Sequence, residues 1–193
     1  GLGACLDRVG RYRGYNMISI NHLGDWGTQF GKLYVAMKLF GDSLPKDPGI
    51  MDLVGIYVKF HEAIEKDPSL EDQARAAFKR LEEKDPEVTA SWKKCIDISM
   101  KEFNRLYSKL NVKFDHIWGE SHYEDQLKPL LENLKKKKIL VESEGAWIAN
   151  VTDEAGRELP PAILQKSDGT SIYATRDTAA AIYRHEKFHF DRM

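Results

Sequence analysis

The sequence predicts an α/β protein, part of a doubly wound sheet domain interrupted by a mainly helical insertion with a small β-hairpin. Three observations carry that expectation: a strand-turn-helix unit over 16–40, three stretches of helical periodicity between 50 and 110, and a return of extended segments after 113. Charged residues make up 31% of the 193 and cancel to a formal net charge of −1. That balance argues against a protein that coats DNA, while leaving room for a local basic face. Cys5 and Cys95 are too few and too far apart for a disulfide framework or a Cys-rich zinc site, so two reduced, buried thiols are expected. No apolar run approaches the roughly 18 residues that span a bilayer, and the first residues lack a signal-peptide pattern. A cytoplasmic protein is the default, with no membrane partner.

The elements follow in order. Residues 2–13 read as an amphipathic helix, with Leu2, Cys5, Leu6, Val9 and Tyr12 on one face and Gly14 ending it. Its abrupt opening at residue 1 suggests a chain cut from something larger. A strand at 16–20 and a helix over 25–40, capped by Asp25, complete an αβα piece that needs further strands from elsewhere. The Pro- and Gly-rich stretch 43–49 is a loop. Helices are then expected at 50–66, with Met51, Val54, Ile56, Val58, Phe60, Ala63 and Ile64 as the apolar stripe, at 70–84, and at 87–110. Asp67-Pro68 and Asp85-Pro86 separate them, Pro being favourable at a first helical position whose N–H has no partner. An antiparallel bundle is the economical packing, and His61 and Trp92 are expected to belong to it rather than to catalysis. A strand over 113–118, a helix over 123–136 ending in Lys135-Lys136-Lys137-Lys138, a hairpin over 139–151, a short strand at 162–166 and a helix from Ala174 complete the chain. The lysine run reads as a solvated helix end that complements the dipole; the sharper reading is contact with RNA phosphates.

Two stretches carry chemistry. Asn21-His22-Leu23-Gly24-Asp25-Trp26-Gly27-Thr28-Gln29-Phe30-Gly31 lies where a strand gives way to a helix, the place where α/β folds bind ligands. Asp168-Gly169-Thr170-Ser171-Ile172-Tyr173-Ala174-Thr175-Arg176-Asp177 is a turn feeding a helix. Tyr173 and Asp177 are four apart and share a face if helical geometry begins at Tyr173. On spacing alone, a local cap or a salt bridge from Asp177 to Arg176 or Arg184 accounts for the same letters, with Glu120 a surface residue.

The first stretch resembles the Asn-His-x-Gly-Asp-Trp-Gly-x-Gln-Phe-Gly signature of arginyl-tRNA synthetases, a class I family. The second is similar to that family's Asp-Gly-x-x-x-Tyr-x-Thr-Arg-Asp segment, and Gly119-Glu120-Ser121 to its Gly-Glu-Ser segment. The resemblance implies a Rossmann-type nucleotide-binding catalytic domain over 1–41 and 166–193, with the connective polypeptide inserted at 42–165. It also implies that Glu120, Tyr173 and Asp177 contact the arginine substrate, and that His22, Asp25 and Gln29 line the neighbouring crevice with a less defined role. Arginine, ATP with magnesium as co-substrate, and tRNA are the implied partners, DNA is not, and a monomer is expected. No residue is assigned a directly catalytic or metal-ligating role.

The chemistry suits those residues. A guanidinium stays charged and presents five donors in a planar fork, so a selective pocket must offer acceptors in that plane. Two carboxylates and a phenol oxygen do so by charge-assisted bonding, and they reject lysine, which cannot fill both fork positions. The family's His-Ile-Gly-His-type motif would precede residue 1, and its Lys-Met-Ser-Lys-Ser-type loop and anticodon-binding domain would follow Met193. No aminoacylation by this chain alone is therefore expected. A non-catalytic helical module for tRNA docking or protein interaction is the alternative.

Overall fold

The computed structural model describes residues 1–193 and divides into two compact units, Gly1–Ile117 and Trp118–Met193. The first holds α1 (Leu2–Tyr12), β1 (Ile20–Asn21), α2 (Thr28–Phe40), α3 (Ile50–Lys66), α4 (Ser69–Glu82), α5 (Pro86–Lys109) and β2 (His116–Ile117). β1 and β2 pair in parallel, Ile20 opposite His116 and Asn21 opposite Ile117. The second holds a 3-10 turn at Glu120–Tyr123, α6 (Glu124–Lys136), β3 (Leu140–Ser143), β4 (Ala146–Ala149), β5 (Ala162–Gln165) and α7 (Tyr173–Phe188). Its sheet is antiparallel in the order β3-β4-β5. The protein is thus mixed α/β, mostly helical, with small sheets.

The core of the first unit is built around α2. Tyr34, Val35 and Ala36 bury against Leu53, Ile56 and Phe60 of α3, Leu70, Ala74, Ala77 and Leu81 of α4, and Val88 and Cys95 of α5. The approach of α2 to α4 depends on Gly31. A Cβ there would lie 2.1 Å from the Ala74 carbonyl oxygen and 2.9 Å from the Phe78 amide nitrogen, so a side chain of any size would push the two helices apart. The Asp85-Pro86 start of α5 forms as expected, Asp85 accepting from the Glu87 and Val88 amides at 3.0 and 3.1 Å. In the second unit, Tyr123, Leu127 and Leu130 pack against Ala179 and Ala180 of α7, and Leu131, Leu140 and Leu164 form a satellite cluster under the sheet.

Several expectations are corrected. The strands expected at 16–20 and 113–118 pair over only two residues each, because a side chain takes over the preceding positions. The Ser19 amide donates to Asp115 Oδ2 at 2.7 Å, the Asp115 amide donates to the Ser19 carbonyl at 2.9 Å, and Arg11 of α1 donates to the same carboxylate oxygen at 2.6 Å. In α3, Leu53, Ile56 and Phe60 turn inward while Met51, Val54 and Val58 lie exposed; the helix carries two apolar stripes, and the core takes the one containing Leu53. Ile182 of α7, and Leu106 and Leu110 at the end of α5, are exposed as well. The apolar face of α1 is also exposed, Leu2 to 79% and Tyr12 to 93%, and Cys5 lies at the surface while Cys95 is buried. The hairpin is part of a three-stranded sheet, with β5 added beside β4. Neither expected domain boundary, at 41/42 or 165/166, coincides with the contact boundary after Ile117, since α2 shares one core with the bundle and α7 begins against β5.

Two expectations for stability follow. Gly31→Ala should lower the unfolding free energy by at least ~2 kcal/mol through overpacking, whereas Gly41→Ala, where an added Cβ meets nothing within 4 Å, should be near neutral. Equal urea midpoints for the two variants would contradict the close-approach argument. The Asp115 carboxyl titrates below its ordinary value, chiefly through the Ser19 amide, with the Ser19 hydroxyl and Arg11 adding to it. Its contribution is complete above about pH 4 and is lost as the pH falls further and the carboxyl takes its proton. Asp115→Asn should therefore cost ~1 kcal/mol at pH 7 and reduce the difference in stability between pH 7 and pH 3; an unchanged pH dependence would rule this out.

Candidate functional site

The turn after β1 is held by side chains from the helical bundle. Asn21, buried at the end of β1, donates through Nδ2 to the Tyr107 hydroxyl of α5 at 3.0 Å. The Trp92 indole N–H, also on α5, donates to the Asp25 carbonyl at 2.8 Å. Trp26 sets its ring edge-on to Trp92 at 5.5 Å and to Phe78 at 6.0 Å. Gly27 takes φ +136°, a conformation that a side chain would strain, and the Gln29 amide donates to the Trp26 carbonyl at 3.0 Å. Asp25 is consequently not the cap of α2. The helix begins after Gly27, which occupies the N-cap position with no side-chain cap bond, because Trp26 is committed to the bundle before the helix can start. His22, Asp25 and Gln29 are half-buried along this turn.

Four of the expected site elements lie in the second unit. Glu120 opens the 3-10 turn that packs on α7, and Tyr173 and Asp177 lie one helical turn apart on the outward side of α7, Tyr173 being 73% exposed. Between them Arg176 points inward, its side chain only 11% exposed, with Nε 3.8 Å from Glu120 Oε2 and 3.7 Å from Glu124 Oε2. Thr175 is fully buried and fixes the start of the helix: its hydroxyl donates to the Leu164 carbonyl of β5 and accepts from the Ile172 amide. The Asp168-Gly169 turn is structural, since Asp168 accepts from the Thr170 amide and hydroxyl at 2.9 and 2.6 Å and Gly169 has φ +83°. The Thr170 hydroxyl, above all, holds the Asp168 carboxyl below its ordinary range.

Other features are peripheral to these residues. A cavity of about 450 Å³ in the first unit is lined by Asp7, Arg8 and Arg11 of α1 and by Ser19 and Asp115, at the amino ends of β1 and β2; it contains none of His22, Asp25 and Gln29. No group of three or more His, Cys, Asp or Glu side chains is gathered to hold a metal ion, and no helix is long and apolar enough to cross a membrane. Of the lysine run, Lys135 donates to Gln165 at 2.9 Å and lies 4.0 Å from the Trp147 ring centroid, while Lys136, Lys137 and Lys138 are exposed to solvent.

The family model described as tRNA synthetases class I (R), catalytic domain, matches residues 2–193. The chain belongs to the arginyl-tRNA synthetase family. It is 50% identical over 193 residues to the arginine–tRNA ligase of Clostridium perfringens, covering 99% of this chain and 34% of the relative, and 45% identical to that of Exiguobacterium sibiricum, covering 99% and 34%. It spans about a third of the curated relatives it matches. The crystal structure of arginyl-tRNA synthetase from Plasmodium falciparum superposes with a TM-score of 0.76 at 29% identity, covering 95% of this chain and 30% of that one. A putative arginyl-tRNA synthetase from Campylobacter jejuni shares the fold, with a TM-score of 0.55 at 20% identity over 96% of this chain and 40% of that one.

Within this synthetase chain, sequence reasoning missed what Arg176, Thr175, Asn21 and Trp92 do. All but Trp92 fall inside or beside the two matching segments, but their partners lie 11 to 86 positions away in the chain and left no local signal. Removing the Trp92 donor tests the bracing of the turn. Trp92→Phe keeps an aromatic ring against Trp26 and should cost ~1 kcal/mol in urea unfolding with a changed near-ultraviolet circular dichroism band; a wild-type midpoint and spectrum would show that the bond is dispensable.

Proposed function

We propose that this chain is a catalytic-core segment of an arginine–tRNA ligase and that it supplies the pocket that reads the arginine side chain. The observation that carries the reading is the family match over 2–193, together with the placing of Tyr173 and Asp177 on successive turns at the start of α7 and of Glu120 on the turn that packs against that helix. Acceptors arranged around a helix start suit a planar, permanently cationic fork, and the exposure of Tyr173 leaves its phenol accessible to a ligand. In this reading 1–41 and 166–193 belong to a Rossmann-type catalytic domain and 42–165 to its connective insertion. The parallel pairing of β1 with β2 supports a doubly wound sheet, with His22, Asp25 and Gln29 following β1 at its carboxyl end, the edge where such sheets bind ligands.

The reaction proposed for the full-length enzyme joins arginine to ATP as arginyl-adenylate, the substrate carboxylate attacking the α-phosphate and pyrophosphate leaving. The arginyl group then passes to the terminal ribose of the tRNA. Catalysis of this kind rests on positioning and on stabilising phosphate charge, and this chain's part is to hold the amino acid by its far end. Magnesium would accompany the ATP phosphates rather than sit in a cage of this chain's side chains. The proposed setting is a cytoplasmic monomer with tRNA as its nucleic-acid partner. No observation favours the alternative of a non-catalytic docking module.

Arginine-dependent ATP–pyrophosphate exchange tests the reading. In the full-length protein, Glu120→Gln and Asp177→Asn should each raise the KM for arginine by ~100-fold or more, as expected when one partner of a desolvated charge pair is removed, with the KM for ATP little changed. An arginine KM unmoved by both variants would refute the pocket. Residues 1–193 alone, a third of the relatives' length, should give no exchange.

A further inference from the structure

The least exposed charge beside the proposed pocket is not one of the three residues assigned to the ligand. Arg176 is only 11% exposed, and a buried guanidinium is costly unless carboxylates answer it. Two do, Glu120 and Glu124, one helical turn apart across the start of α6, at 3.8 and 3.7 Å from Nε. Both distances exceed hydrogen-bond length, and Arg176 Nε makes no hydrogen bond although it is shielded from solvent. The contact is therefore an attraction between charges that orients without saturating: the carboxylates keep lone pairs uncommitted to this N–H. Two carboxylates facing one guanidinium also leave one negative charge in excess, the charge that a second, incoming guanidinium would neutralise.

We infer that Arg176 is a positioning residue that aims the Glu120 carboxylate at the arginine substrate and, through it, sets the preference for a charged over a neutral side chain. This rests on the reading of Glu120 as a substrate contact. Several features support a fixed geometry rather than a surface ion pair. Arg176 is anchored on a helix whose first turn is clamped by Thr175 to β5, Glu120 and Glu124 bracket the turn that packs on that helix, and Tyr123 between them is fully buried and accepts a hydrogen bond from Arg184 of α7 at 3.0 Å. The residues on either side, Tyr173 and Asp177, face outward, so α7 presents ligand acceptors on one side and the support for Glu120 on the other.

The test compares Arg176→Gln, Arg176→Lys, Glu120→Gln and the double variant Arg176→Gln/Glu120→Gln in the full-length enzyme, by pyrophosphate exchange with arginine and with the neutral isostere citrulline. Arg176→Gln should raise the arginine KM by ~10-fold or more and narrow the preference over citrulline while leaving the ATP KM in place. Arg176→Lys should recover part of the loss, and in the Glu120→Gln background the change should add little, because residues acting through one another are not additive. A lowered kcat or melting temperature with the arginine KM and citrulline ratio at wild-type values would overturn the inference, as would an undiminished effect in the Glu120→Gln background. Should Arg176→Gln fail to fold, Arg176→Lys decides, a raised arginine KM supporting the role and a wild-type KM overturning it. A wild-type arginine KM in Glu120→Gln removes the pocket reading itself and the inference with it, whereas a raised KM there beside an unaffected Arg176→Gln overturns the positioning role alone.

Discussion

The first unit depends on the contact between α2 and α4 at Gly31. With no Cβ at that position, the backbone of one helix rests on the carbonyl of the other, and the separation leaves room for Tyr34, Val35 and Ala36 to enter the core shared with α3, α4 and α5. Interiors are packed as densely as organic crystals, so such a spacing is set rather than approximate. The same contact brings the segment before α2 within reach of α5, where Trp92 and Tyr107 fix the positions of Asp25 and Asn21. The signature turn is thus shaped from outside, by helices that follow it in the chain.

The second unit solves a different problem, the placing of acidic groups where a cation is to be read. Carboxylates beside one another repel, and without an internal counter-charge their directions would be set by solvent. A partly enclosed guanidinium between Glu120 and Glu124 supplies that counter-charge at the base of the turn. The outward side of α7 is then free to carry Tyr173 and Asp177 without bearing the load of holding the turn in place.

Legibility followed locality. The bundle helices were readable to within a residue or two, since Asp67-Pro68 and Asp85-Pro86 punctuate them with caps whose geometry is local. The strands were not, because the pairing of β1 with β2 is cut short by the Asp115 side chain, which sits 96 positions from the amide it binds. The start of α2 was misplaced by three residues, as Asp25 has the chemistry of a cap but its neighbour Trp26 is held by rings of α4 and α5. In α3 the periodicity offered two apolar stripes, and nothing within the helix tells which one its neighbours will cover. Spacing placed Tyr173 and Asp177 on one face of α7 correctly, yet it could not show that Arg176, between them in sequence, reaches back to residues more than fifty positions earlier.

The two-residue pairing of β1 with β2 also constrains how the unit forms. Joining points 96 residues apart costs about 4 kcal/mol in chain entropy, far more than two ladder positions return, so the pair cannot nucleate anything. It closes only once α2 to α5 have assembled and shortened the distance between its ends. The strand edge that carries Asn21 and the signature turn is accordingly among the last parts of the unit to take shape and the first to come undone, and its integrity reports on the helices rather than on itself.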